Sequence, residues 1–353
     1  MTKSIVNRQS SIRQFFDSNA LWLSMLIGAV GYRWFLPLAP ILPWLIFFML
    51  FFTFCKVNPM DLRLHKWHWV VLAVQMVLSL GSYAAAFALT RNQILAQGVM
   101  SCFIMPTASA APIIAGKLGG SIQNLTTFTL LSNFATTLVV PALFPLINSN
   151  VGFSVFNFQF SVFLPAFTLI FSHITPLLVG PFLAAWLLRL AVNHYYRAHG
   201  QSSNRQFVLP PRLAQIPFYL WVASIIVLTA SVTETTISTV SSRLSTILIL
   251  LGLSFLACLM QFALGKLVGY RLPAPDKGKD YQDVLINPAA APKNMNEVSS
   301  ITAGQAFGQK NTSLGVWMAQ TYLDPLSALG AAAYIIWQNL FNSAQLFLAS
   351  RKK

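Results

Sequence analysis

The sequence predicts an all-α polytopic membrane protein with ten transmembrane helices in two inverted five-helix repeats. Of its 353 residues, 56% are hydrophobic and only 9% are charged, and the mean hydropathy is +0.62. Apolar segments long enough to cross a bilayer recur along the whole chain. The basic residues are distributed unevenly between alternate loops, as they are in membrane proteins with a fixed orientation.

The apolar segments, taken in order, predict ten spans. They lie at approximately 19–34, 37–55, 68–90, 93–116, 121–147, 162–192, 214–232, 245–270, 298–323 and 325–349. The first is the weakest, because Arg33 and Trp34 end it early. The sixth is overlong, and Pro176 and Pro181 within it predict a kink.

The spans divide the chain into two repeats with polar segments around them. The repeats cover 19–147 and 162–349. We expect 1–18 and 350–353 to be cytoplasmic termini, 148–161 to be an extracytoplasmic loop, and 271–297 to be a cytoplasmic loop. Each half holds five spans, and because five is odd, the second half enters the membrane inverted relative to the first.

The loop charges support this arrangement. Nineteen of the 23 Lys and Arg residues fall on one side of the membrane, and the other side holds only Arg33, Arg91 and Arg243. Such an excess indicates the cytoplasmic face. We therefore expect a multi-pass protein of a bacterial inner membrane with both termini in the cytoplasm and the lipid bilayer as a partner.

Other classes of partner are not expected. The net charge of +15 is spread over many loops, so it does not predict a nucleic-acid surface. The three cysteines, Cys55, Cys102 and Cys258, lack the spacing of metal ligands and are expected to be small buried side chains. No cofactor and no metal site are predicted.

The ninth span, 298–323, is too polar for a helix that faces lipid. Its middle, 308–313, reads Gly-Gln-Lys-Asn-Thr-Ser, and Lys310 lies about 18 Å from the start of the span, near the midplane. A charge at that depth costs at least ~2.5–3.5 kcal/mol, so it should face protein or a water-filled cavity. The pattern predicts a broken helix whose freed backbone groups line a binding site.

The fourth span is interrupted at the corresponding place in the first repeat. Its residues 105–112 read Met-Pro-Thr-Ala-Ser-Ala-Ala-Pro. Two discontinuous helices in equivalent positions are typical of the binding sites of secondary transporters. We therefore expect the substrate site where the two interruptions meet.

The motifs around these interruptions resemble those of the bile acid:sodium symporter family. The similar segments are Pro106 with 107–109, 117–120, 121–127, 265–270, 325–339 and 60–63, in family order along most of the chain. The resemblance implies ten helices in inverted repeats, with a mobile panel beside a core in which broken helices four and nine cross. The paired interruptions predict that small organic anions bind beside 107–110 and 309–312; the candidates are Thr107, Ala108, Ser109, Ala110, Gln309, Asn311 and Thr312.

Three positions depart from the family pattern. A helix-nine motif of the form Glu-x-Gly-x-Gln-Asn supplies sodium ligands in the family, and here Ala306 stands for the Glu and Lys310 for the Gln. In helix four, Ala110 replaces an Asn. The resemblance leaves a reduced cation site beside Lys310, which consists of Gln75, Ser109, Gln123 and Thr127.

Lys310 has three interpretations that the sequence leaves open. Its ammonium can stand in for the coupling cation and satisfy the oxygens of the reduced site. It can also act directly as counter-ion to an anionic substrate, or it can be purely structural. Its charge state and a role in proton coupling stay open as well.

The function predicted from these features is secondary transport of small organic anions, bile-acid-like or other carboxylates and sulfates, by alternating access without sodium. A sodium-coupled symporter of the same fold is the alternative, together with a membrane-embedded enzyme and a channel. An enzyme is not favoured, because His173 is the one histidine well inside a span and no carboxylate lies there. His65 and His68 are expected to belong to a basic cytoplasmic rim. Substrate identity, direction of transport and oligomeric state are not determined by the sequence.

Overall fold

The computed structural model describes residues 19–57, 62–147, 160–199, 210, 213–274 and 294–351. Within these ranges the chain is all-α and contains no β-sheet, apart from one isolated two-residue bridge. The predicted cytoplasmic segment 1–18 lies outside the described residues. So do 148–159 of the predicted extracytoplasmic loop, 275–293 of the predicted cytoplasmic loop, and 352–353 at the C-terminus.

The described chain forms thirteen α-helices, numbered here in chain order. They are α1 (Asn19–Val30), α2 (Tyr32–Phe35), α3 (Leu42–Phe54), α4 (Lys66–Thr90), α5 (Gln93–Ile104), α6 (Ala111–Leu118), α7 (Ile122–Ile147), α8 (Phe160–Leu178), α9 (Gly180–Ala198), α10 (Ile216–Arg271), α11 (Met295–Gly308), α12 (Thr312–Tyr322) and α13 (Ala328–Arg351).

Five helical stretches are long and apolar enough to cross a membrane. They are Tyr32–Phe54, Lys66–Thr90, Ile122–Ile147, Phe160–Ala198 and Ile216–Arg271. In four of them most side chains face outward, as expected where lipid replaces water as the solvent, whereas Ile122–Ile147 is mostly buried in the protein. Several such helices in one chain indicate a multi-pass membrane protein.

Prolines and Gly31 change the predicted bounds of the first two spans. The first span was expected to run to Trp34, but a turn at Gly31 separates α1 from the four-residue α2. The second was expected to begin at Pro37, but Leu36–Ile41 forms a 3₁₀-helix with Pro40 inside it. Since proline removes a backbone donor, the tighter 3₁₀ turn leads into α3.

The sixth span has a one-residue interruption where the prolines predicted a kink. The helix is interrupted at Val179, between α8 and α9, with Pro176 near the end of α8 and Pro181 at the start of α9. The two helices together extend to Ala198, six residues beyond the expected end of the span.

The predicted loop between the seventh and eighth spans is helical instead. Residues 216–271 form one helical stretch, and only Arg243 has non-helical dihedral angles (φ −136°, ψ 27°). Ser224 Oγ lies 3.3 Å from Ser313 Oγ, while the Phe262 ring covers Gly308. In a straight helix, Ser224 and Phe262 would be about 57 Å apart, yet they contact residues that are only five positions apart in the chain. The chain therefore turns back at Arg243, and α10 consists of two helices packed side by side.

Small residues bring the helices of the second half close together. A Cβ atom on Gly269 would lie 2.1 Å from the Ser299 carbonyl oxygen, and one on Gly265 would lie 2.4 Å from that of Ala303. The second arm of α10 therefore packs backbone to backbone on α11. Packing of small residues four apart is the common way in which helices associate inside membranes.

Candidate functional site

Both predicted interruptions are present in the structure. The helix α5 ends at Ile104 and α6 begins at Ala111, which leaves 105–110 non-helical. The helix α11 ends at Gly308 and α12 begins at Thr312, which leaves 309–311 non-helical. Pro106 cannot donate an amide hydrogen bond, and Gly308 is a poor helix former, so local sequence explains why each helix stops here.

The two interruptions pair with each other as a minimal antiparallel bridge between Thr107 and Lys310. Ala108 N–H donates to the Gln309 carbonyl over 2.9 Å, and Asn311 N–H donates to the Pro106 carbonyl over 2.7 Å. Thr107 and Lys310 are thus a non-hydrogen-bonded pair, the type whose side chains approach most closely. The backbone groups that each break frees are satisfied by the other break.

Two side chains from the helices that follow complete this bridge. Thr107 N–H donates to Ser132 Oγ of α7 over 3.1 Å. Lys310 N–H donates to Gln338 Oε1 of α13 over 2.9 Å, and Gln338 Nε2 lies 3.4 Å from the Lys310 carbonyl. The first break is therefore held by α7 and the second by α13, in each case the helix that follows the interrupted one.

The carbonyl groups at the broken helix ends also have partners. The Thr107 hydroxyl donates to the Ala306 carbonyl over 2.7 Å, and the Tyr334 hydroxyl donates to that of Gly308 over 2.9 Å. Gln75 Nε2 donates to the Met105 carbonyl over 3.0 Å. A buried carbonyl without a donor is costly, so these contacts fix the positions of both breaks.

The Lys310 side chain is buried, with 1% of its surface exposed. Its Nζ has no hydrogen-bond partner within the described part of the chain. It lies 4.8 Å from the centre of the Phe307 ring, a cation–π distance. Glu234, Glu297 and Asp324 are the carboxylates that the structure describes, and none of them accepts a hydrogen bond from it.

The oxygens of the reduced cation site do not surround this amine, contrary to the tethered-cation expectation. Gln75 contacts the first break, but through its amide nitrogen. The Thr127 hydroxyl accepts from Arg63 N–H over 3.3 Å and donates to the Gln123 carbonyl over 3.1 Å, so it contacts the chain before α4 instead. The amine lies instead over the ring of Phe307, three residues earlier in the chain.

The first break presents a more open face than the second. Ala108 and Ser109 are half-buried and Ala110 is exposed, whereas Gln309, Asn311 and Thr312 are buried. The structure thus brings the substrate candidates together as two paired backbone segments, with the accessible surface at 108–110.

A row of amide side chains connects the second break to a half-buried position. Gln309 donates to Gln305, and Gln305 Nε2 donates to Gln345 Oε1 of α13 over 3.1 Å. Parts of the site that were not predicted from the sequence are Gln305, Gln345, Ser132 and Gln338. The available signal was polar side chains inside apolar helices, which seldom occur without a role.

The sequence predicts that His68 belongs to a basic cytoplasmic rim, and this prediction is wrong. His68 is fully buried, its Nδ1 accepts from His65 N–H over 2.9 Å, and its Nε2 lies 3.0 Å from the Asn124 carbonyl. Its ring stacks with Phe128. These contacts fix the start of α4 against α7.

The side chains at the two breaks are uncharged apart from Lys310. No group of three His, Cys, Asp or Glu side chains that could hold a metal ion occurs among the described residues. The two helices that begin at the breaks, α6 and α12, direct their N-terminal dipoles to this region, which favours anions. Most of their first N–H groups already have acceptors: Ala111 donates to the Ala108 carbonyl, and Leu314 donates to Asn311 Oδ1.

No protein-family model matches this chain, and no curated protein matches it.

Proposed function

We propose that the protein is a secondary transporter of small organic anions that works by alternating access and does not require sodium. The observation that carries the proposal is the pairing of two interrupted helices around a buried lysine. Interrupted helices in equivalent positions of two repeats are the usual site architecture of such transporters. The resemblance to the bile acid:sodium symporter family remains part of the proposal.

The proposed architecture is ten membrane crossings in two inverted halves. The return of α10 at Arg243 supplies the seventh and eighth crossings. The two halves also make the same kind of contact, because a side-chain oxygen of a later helix accepts the central N–H of each break. This acceptor is Ser132 for the first break and Gln338 for the second. That equivalence is what an inverted repeat would produce.

The proposed anion site lies beside the first break. The half-buried 108–109 and the exposed Ala110 are the accessible part of this break, and the N-termini of α6 and α12 contribute partial positive charge. The amine of Lys310 adds a full charge whenever it is protonated. A carboxylate or sulfate is the ligand group that such a site would favour.

The proposed independence from sodium rests on Lys310. A sodium ion requires several oxygen ligands and is disfavoured by a nearby positive charge. Ala306 and Ala110 offer no side-chain oxygen. A lysine fixed to the second break would add positive charge beside these positions whenever it is protonated, and that charge would disfavour sodium.

A stabilisation assay tests this proposal. Purified protein is heated with a panel of organic carboxylates and sulfates in sodium buffer and in choline buffer, and the unfolding midpoint is recorded. A bound anion should raise the midpoint equally in both buffers, since ligand binding stabilises the folded state. Dependence of the rise on sodium would contradict the proposal.

A triple variant serves as the converse experiment. Lys310→Gln with Ala306→Glu and Ala110→Asn restores the oxygen-bearing residue types, and sodium should then stabilise the protein. The variant Lys310→Gln alone is the matched control and should not respond to sodium. An equal response of both variants would argue against the assigned cation positions.

A sodium-coupled symporter is the second candidate. The observation that favours it is that Gln75 Oε1 and Gln261 Oε1, both buried, have no donor in the described part of the structure. The amides to which they belong bond to the carbonyls of Met105 and Cys102, next to the first break. Unpaired oxygens are potential cation ligands, and the comparison of sodium with choline decides between the two candidates.

A further inference from the structure

A narrow cleft lies between the C-terminal end of α3 and the middle of α9. It is open to the surroundings and is lined by Phe54, Val57, Phe182, Ala185, Trp186 and Arg189. The rings of Phe54 and Phe182 meet edge to face with centroids 6.0 Å apart. The cleft is therefore apolar along its length and carries a cation at one end.

The length of α8 and α9 would place the charged end of the cleft at the level of the lipid headgroups. Arg189 follows Phe160 by 29 residues of nearly continuous helix, which corresponds to about 44 Å. A bilayer with its headgroups is roughly 40–45 Å thick. Arg189 also donates to the Cys55 carbonyl at the end of α3 over 3.2 Å, so the end of α3 lies at the same level.

A second cation flanks the cleft at this level. Lys56 directly follows Cys55 and is exposed. Trp186, one helical turn before Arg189, is 42% exposed. An indole beside basic side chains is typical of the boundary between hydrocarbon and headgroups, where long basic side chains lie along apolar surface and hold their charge at the interface.

We propose that this α3–α9 cleft binds one anionic phospholipid from the leaflet on the basic side of the membrane. The phosphate would lie between Lys56 and Arg189, and one acyl chain would lie against Phe54, Phe182 and Trp186. Basic pockets between membrane helices recognise anionic headgroups in this way. The inference does not depend on which solute the protein transports.

Native mass spectrometry of delipidated protein tests the inference, with phosphatidylglycerol and phosphatidylcholine added back separately. We expect one phosphatidylglycerol molecule to stay bound at activation energies that remove phosphatidylcholine. The double variant Lys56→Gln/Arg189→Gln should bind phosphatidylglycerol roughly tenfold or more weakly. The control Arg271→Gln/Arg351→Gln removes the same charge from the same side of the membrane and should bind it normally.

Two further variants keep the test decisive if the double variant folds poorly. Arg189→Lys retains the charge and should retain the lipid. Ala185→Met fills the cleft without changing the charge and should lose it. Equal retention of the two lipids by the unchanged protein, equal losses in both double variants, or normal binding by Ala185→Met would each overturn the inference.

Discussion

At the scale of single residues, the buried amine of Lys310 lowers the stability of the fold but has a role in the proposed function. A buried polar group without a partner is destabilising, and most proteins avoid it. Lys310 Nζ is such a group among the described residues, while its backbone is fully bonded to Gln338. A side chain kept at that cost is more readily explained by binding than by folding.

The variant Lys310→Met tests this view. Methionine keeps much of the length and removes the amine, so we expect the free energy of unfolding to rise by about 1–3 kcal/mol and anion binding to be lost. Thermal unfolding in detergent and the ligand panel measure the two effects. The exposed Lys117 provides the control, since Lys117→Met should change stability by less than about 0.5 kcal/mol. A destabilised Lys310→Met protein that still binds anions would make Lys310 a structural residue.

At the scale of the elements, the contact between α10 and α11 determines how close two membrane helices can come. Gly265 and Gly269 lie four residues apart and face Ala303 and Ser299. Helices that lack the hydrophobic effect as a driving force depend on such close packing. The contact also positions Phe262 over Gly308, where the second break begins.

A pair of glycine substitutions in the same helix tests the role of this contact. Gly269→Ala places a methyl group 2.1 Å from the Ser299 carbonyl oxygen, and the resulting overpacking should destabilise the protein by about 1–3 kcal/mol. Gly252→Ala meets no atom within 4 Å, so improved helix propensity should raise stability by up to about 1 kcal/mol. Thermal unfolding of both variants provides the comparison, and equal shifts would show that the helix contact is not tight in solution.

The sequence predicts the elements of this molecule better than their contacts. Pro106 and the polar run after Gly308 are local signals, so both breaks could be located from them. The reversal at Arg243 carries no proline or glycine, and the structure keeps helical hydrogen bonding around it, so its helical character was missed. The position of the Lys310 amine depends on a choice of rotamer between Phe307 and distant oxygens, which only the packed structure decides.

At the scale of the whole molecule, the Thr107–Lys310 bridge joins the two halves of the chain. A non-hydrogen-bonded antiparallel pair has Cα atoms about 4.5 Å apart, within the roughly 4.4–6.8 Å range of disulfides. In a chain with Cys55, Cys102 and Cys258 replaced by alanine, Thr107→Cys/Lys310→Cys should therefore cross-link on oxidation.

A protease site inserted between 200 and 209 gives the readout for this cross-link. After cleavage the two halves should migrate together on a non-reducing gel and separate on reduction. Thr107→Cys or Lys310→Cys alone should separate under both conditions. Separation of the oxidised double variant would mean that the two interruptions do not meet.

The same bridge has a consequence for how the protein is made. Ribosomes add roughly 5–20 residues per second, so Gln309 follows Ala108 by about 10–40 s. During that interval Ala108 N–H lacks the acceptor that it has in the finished protein, and an unsatisfied backbone group in hydrocarbon costs several kcal/mol. The first interruption is therefore unpaired until 309–311 has been made, so this part of the first half of the chain depends on a segment that is synthesised much later.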